Sequence, residues 1–164
     1  MIVRFLIFAF LFVGCGYKPI SHYTKEALGE KIFVELKVDA RDSQNSVELK
    51  DELSRAVFSR LQSQITDKER ADSIVKVKLD SVSFSALAEN TTGFATFYRC
   101  NVVVEFEYFN KATQKTRTFL KKGYYNFSLN DSSVITDSAR LDAINKALLQ
   151  AIDGFVSQVG VDTQ

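Results

Sequence analysis

Few residues in this 164-residue chain could carry chemistry. The first is Cys15, which follows Gly14 at the end of an apolar run from Phe5 to Val13. Arg4 precedes the run. One positive charge, a short apolar stretch and a small residue follow the plan of a secretory signal peptide, and the run is too short for a bilayer, which needs roughly 20 residues. Leu11-Phe12-Val13-Gly14-Cys15 resembles the bacterial lipobox, with Phe12 at the usual Leu position. There the Cys thiol accepts a diacylglycerol in thioether linkage, and Gly leaves a peptidase room to cut before it. We expect residues 1–14 to be a signal peptide, and Cys15 to be lipidated and to anchor the chain in a membrane. Fatty-acyl chains such as palmitate contribute ~0.8 kcal/mol per buried methylene, and more than one chain makes the anchoring stable.

The other reactive types point to little. Cys100 would have no partner once Cys15 carries lipid, and its alternating apolar surroundings read as a small buried residue. His22 is the only histidine and falls in a polar stretch after the anchor. One His and two Cys exclude a zinc site built from several such ligands, so no metal or cofactor is expected. Glu105 and Glu107 share one face of a strand about 7 Å apart, a spacing that could mimic an acid/base pair. Both lie on the less apolar face, however, and read more simply as an exposed charged row. There is no glycine-rich phosphate loop, no HExxH and no GxSxG. An enzyme is not expected.

Composition agrees. Lys and Arg number 21 against 20 Asp and Glu, a net charge of +1, which excludes a strongly basic nucleic-acid binder. Hydrophobic residues make up 46%, enough to bury a single core at this length.

The elements that position these residues follow from periodicity. Residues 15–30 lack it and read as a lipidated tether, leaving 31–164 as one domain. Lys31 to Val38 alternates as a strand, with Ile32, Val34, Leu36 and Val38 on one face. Asn45 to Ile65 carries Leu49, Leu53, Ala56, Val57, Leu61 and Ile65 at helical spacing, with Asn45 and Glu48 as a capping-box start. Ser73 to Ala86 returns to period two and slips once, which predicts a β-bulge near Asp80-Ser81. Leu87 to Gly93 is a loop. Phe94 to Phe109 is the longest strand. Thr116 to Phe127 is the next, with Lys121-Lys122-Gly123 interrupting its pattern. Ser128 to Ser133 is a loop. Thr136 to Val159 is a second amphipathic helix with a row of Ala143, Ala147 and Ala151, and Gly160 sits where a C-cap would. The order is β-α-β-β-β-α. It predicts an α+β two-layer sandwich, a four-stranded mixed sheet with two helices on one face.

Gly14-Cys15-Gly16-Tyr17-Lys18-Pro19, with the β-α-β-β-β-α order and the Ala-rich last helix, resembles the LptE family of LPS-assembly lipoproteins. The resemblance covers essentially the whole mature chain. It implies an outer-membrane lipoprotein, mostly periplasm-facing or inside a barrel lumen. Such a protein plugs and helps assemble the LptD barrel and assists delivery of lipopolysaccharide or lipooligosaccharide to the outer leaflet. It implies no catalytic residues. Gly16 in place of Asp after the anchor favours the outer membrane.

Two surfaces fit that role. The mixed face of the third strand, with Phe97, Val103 and Phe109, offers a partner interface. Arg99, Arg117, Lys121 and Lys122 offer cations for lipid A phosphates. The competing readings are an accessory lipoprotein of another export or cell-wall system, and a hydrolase using Glu105 or Glu107. A barrel protein that co-purifies with the chain separates the first, and a turnover screen the second.

Overall fold

The computed structural model describes residues 28–38, 46–61, 65–91, 93–129 and 134–161. The signal peptide, Cys15, His22, the Asn45 cap and residues 130–133 lie outside them.

Four strands and two helices follow in the expected order: β1 (Ile32–Val38), α1 (Ser46–Leu61), β2 (Ser73–Glu89), β3 (Ala95–Asn110), β4 (Lys115–Ser128) and α2 (Asp137–Val161). The sheet order is β1-β2-β3-β4. β1 pairs parallel with β2, as the intervening helix requires, and the other pairs are antiparallel. The fold is α+β with a mixed sheet. Both helices lie on one face. Their apolar stripes (Leu53, Val57 and Leu61 on α1, Ile144, Leu148 and Ile152 on α2) share one core with Val75, Val77, Val102, Val104 and Phe106 of the sheet. Phe106 and Phe155 stack at its centre, 4.3 Å between ring centroids.

The predicted bulge is present, between Leu79 and Ser81. It re-phases β2, so Val82 and Phe84 pack on the same core as Val75, Val77 and Leu79.

Five boundaries differ from the sequence reading. Ile65 is not helical but forms a parallel bridge to Ile32, and Thr66 N–H donates to Ile32 O at 2.8 Å. Its apolar side chain serves the core equally from an extended chain. β2 runs on to Glu89, so Leu87, Ala88 and Glu89 belong to the hairpin arm, not to a loop. The turn is held by Asn90 Oδ1 accepting from Phe94 N–H at 2.9 Å, with Gly93 at φ 81°. Lys121-Lys122-Gly123 does not interrupt β4, whose register with β3 is continuous. Gly160 is inside α2 and buried, so it is not a C-cap. Leu28, which the sequence assigns to the tether, is fully buried, and its carbonyl accepts the Ser73 hydroxyl.

α1 carries one buried carboxylate. Glu52 accepts from Asn145 of α2 at 2.9 Å and pairs with Arg55 at 2.9 Å. Arg55 is therefore more than a solvated residue on the outer face. Leu61→Ala or Leu148→Ala is expected to cost ~2–5 kcal/mol. Arg55→Ala should cost about 1 kcal/mol, because Glu52 keeps its amide partner but loses its neutralising charge, and Arg55 itself is well solvated. Lys50→Ala is the silent control. Thermal melts of the four variants check the order; equal melting temperatures for Leu61→Ala and Lys50→Ala would place α1 the wrong way round.

Candidate functional site: the open sheet face

The helices cover one face of the sheet, and among the described residues no element forms a layer on the other. Alternation decides which residues it displays. Cys100, Val102, Val104, Phe106 and Tyr108 of β3 are buried under the helices. Phe97, Arg99, Asn101, Val103, Glu105, Glu107 and Phe109 therefore point to the open side.

Register groups these residues into rows across the strands. At the base, Phe33, Ile74 and Phe109 lie side by side as a half-buried apolar row. The next row is Glu35, Lys76, Glu107 and Thr118. Lys76 Nζ meets Glu107 Oε1 at 2.5 Å. A hydrogen bond from Lys37 holds the Glu35 carboxyl below its ordinary range, and the bond to Glu107 raises the Lys76 ammonium. Lys76, between Glu35 and Glu107, is thus the centre of a cross-strand charge row, and Glu107 is its ion-pair partner. Glu105 stands opposite Lys78 on one side and Leu120 on the other. Among the described residues no group of three His, Cys, Asp or Glu side chains could hold a metal ion.

Beyond the charged rows the face turns apolar and aromatic. Val103 lies between Ser81 and Lys122, and Asn101 between Ser83 and Tyr124. Arg99 lies across Tyr124, its guanidinium carbon 4.9 Å from the ring centroid, and donates to Asn126 Oδ1 at 2.8 Å. Leu120 and Tyr124 of β4 are 59% and 51% exposed. The β2–β3 arm ends in exposed Leu87, Phe94 and Phe97.

The sequence-predicted interface residues Phe97, Val103 and Phe109 share this face but not one patch. Twelve residues of strand separate Phe97 from Phe109, about 40 Å. The four cations are divided between faces. Arg99 and Lys122 are on the open side. Arg117 is opposite Tyr108 and Lys121 opposite Val104, which places both on the helix side. Lys121 Nζ donates to Gln158 Oε1 of α2 at 3.0 Å. Sequence reasoning missed the Phe33–Ile74–Phe109 row, Leu120 and Tyr124. The row exists only through register, and the Lys-Lys-Gly run obscured the alternation of β4.

Cys100 is fully buried on the helix side. Burial pushes its thiol up to about 11. At pH 8 only about one molecule in 10³ carries the thiolate, so the residue is inert packing, as its alternating surroundings indicate.

The family model described as LptE, lipopolysaccharide-assembly, matches residues 33–159, from β1 to near the end of α2. This chain belongs to the LptE family. No curated protein sequence matches it. Among solved structures, the rare lipoprotein B of Shewanella oneidensis is similar with a TM-score of 0.53 at 19% identity, over 79% of this chain and 94% of that one. A putative lipoprotein of Caulobacter crescentus gives 0.48 at 10% identity, over 87% of this chain and 96% of that one. The Shewanella likeness establishes the shared fold. Membership of the LptE family places the chain among lipoproteins of lipopolysaccharide transport.

Proposed function

We propose that this chain is an outer-membrane lipoprotein, acylated on Cys15 after removal of residues 1–14, that plugs and helps assemble an LptD-like barrel and assists delivery of lipopolysaccharide or lipooligosaccharide to the outer leaflet. It acts by binding, not by catalysis. The family match over residues 33–159 carries this reading. Residues 15–27 are long enough to link an acyl anchor to the packed chain at Leu28. The domain hangs by them on the periplasmic side or within the barrel lumen.

The open face supports the role. A plug needs a second contact surface besides its own core, and this one is about 40 Å long, apolar at both ends and charge-paired between. Phe97, Val103 and Phe109 contact the barrel wall. The arm tip, with Leu87, Phe94 and Phe97, reaches furthest into it. Lipopolysaccharide phosphates meet Arg99 and Lys122 on this face, while Arg117 and Lys121 approach only from the other.

The test is isolation from native membranes in mild detergent. A one-to-one complex with a barrel protein is expected. Phe97→Ser with Phe109→Ser should lower its yield at least tenfold, because a buried aromatic anchor contributes about 2 kcal/mol or more. The isolated variant should still fold, since neither ring belongs to the core. Charge reversal at Arg99 and Lys122 should lower lipopolysaccharide cross-linking while sparing barrel capture. A different partner would assign the chain to another export or cell-wall system.

A further inference from the structure

β4 is the last strand of the sheet and pairs with β3 on one side only. Two hydrogen bonds show where its backbone groups point. Leu129 N–H donates to Thr96 O of β3 at 2.9 Å, so the odd-numbered residues turn toward β3. Tyr124 N–H donates to Gln150 Oε1 of α2 at 2.6 Å, so the even-numbered residues turn outward. The register runs unbroken from Lys115 to Ser128. Thr116, Thr118, Leu120 and Lys122 therefore present N–H and C=O away from the sheet. All four are exposed. Gln150 closes the edge at Tyr124, and among the described residues no strand pairs with the stretch from Lys115 to Lys122 on that side. β1, the other edge, is bridged at its start by Ile65.

The charge on this edge is one-sided. Lys115, Arg117, Lys121 and Lys122 all lie on it, and no Asp or Glu occurs between Glu107 and Asp131. Lys115, Arg117 and Lys121 flank the edge on the helix side, and Lys122 on the open side with Thr116, Thr118 and Leu120.

We propose that the β4 edge, Lys115 to Lys122, takes a fifth strand from the barrel partner: an extended segment with carboxylates on alternate residues facing the helix layer, and uncharged residues over Thr116, Thr118 and Leu120. This rests on the barrel-partner reading and adds a second contact to it. A second copy of the chain does not fit, because two such edges set like charges against each other. Phosphate groups fit less well than a strand. They accept from outward N–H groups but leave the outward C=O groups unmet, whereas a strand satisfies both. The same cations that block self-pairing select the acidic partner.

The experiment compares the free chain with the purified barrel complex. Amide hydrogen exchange at Thr116, Thr118, Leu120 and Lys122 should slow at least tenfold in the complex. Thr118→Pro removes one outward N–H that the fold does not use, and proline is tolerated at such edge positions. It should reduce capture at least tenfold while the melting temperature of the free chain holds; Thr118→Val should capture normally. Carbodiimide should join Lys115 or Lys121, on the helix side, to carboxylates of a single extended partner segment. Capture with unprotected edge amides, or with Thr118→Pro fully competent, overturns the strand and leaves the barrel reading intact. Cross-linking to lipopolysaccharide phosphate at this edge instead overturns it in favour of lipid. Failure to capture any barrel protein removes the barrel reading and this inference with it.

Discussion

Cys15→Ser is expected to abolish fatty-acid labelling of the protein. The expectation rests on the Gly14-Cys15 junction at the end of an apolar run too short to span a bilayer. Serine offers a hydroxyl where the lipid is attached through sulfur, so the change is all or none. Each buried methylene contributes ~0.8 kcal/mol, and more than one acyl chain on Cys15 would make membrane attachment stable. An anchor at Cys15 would also raise the effective concentration of the domain at the membrane. Loss of the anchor should therefore weaken capture of a membrane-embedded barrel by orders of magnitude without touching the fold. Metabolic labelling with a fatty-acid analogue, followed by membrane fractionation, checks both parts. Equal labelling of wild type and variant would end the lipoprotein reading.

Gly123→Ala is expected to be the most damaging single methyl addition in the domain. A Cβ at Gly123 would stand 1.9 Å from the carbonyl oxygen of Ala147 and 2.9 Å from the nitrogen of Ala151. Both are backbone atoms of α2, so no side chain can rotate away. The helix must lift off β4. That disturbs the alanine row Ala143, Ala147 and Ala151, which is fully buried, and the Gln150 cap on Tyr124. Overpacking costs ~1–3 kcal/mol and more where backbone must move. In a domain of this size a loss of ~3 kcal/mol lowers the melting temperature by roughly 6–12 °C. The neighbouring Gly154→Ala is the contrast. Its added Cβ meets only the flexible Lys121 stem at 3.7 Å, and alanine is the better helix former by ~1 kcal/mol. Thermal melts should show a fall for the first and no fall for the second. Equal stability of the two would mean that α2 does not rest on β4 through Gly123.

Gly123 also shows where sequence reasoning stops. Read along the chain, Lys121-Lys122-Gly123 breaks a strand pattern. In three dimensions each residue is explained by a neighbour far away in sequence. Lys121 lies over α2 with its ammonium on Gln158, Lys122 faces the open side, and Gly123 clears the backbone of Ala147. No local signal encodes those contacts.

Local patterns specify much of the rest. The apolar spacing of Leu49, Leu53, Val57 and Leu61, and of Ile144, Leu148, Ile152 and Phe155, encodes two helices and the faces they bury, because a 3.6-residue repeat leaves one stripe to hide from water. The phase slip after Leu79 encodes the bulge, because side chains alternate and one extra residue reverses their sides. Element order alone then leads to a parallel β1–β2 pair and an antiparallel meander. The expected lipidation signal at Gly14-Cys15 is likewise purely local, because it lies in a short run of consecutive residues. Packing and register decided the remainder. The Phe33–Ile74–Phe109 row, the division of Arg99 and Lys122 from Arg117 and Lys121, and the open edge of β4 each depend on which residues stand opposite one another across strands. That pairing is a property of the assembled sheet: Phe33 and Phe109, 76 positions apart in the chain, come to flank Ile74 only when the strands have paired.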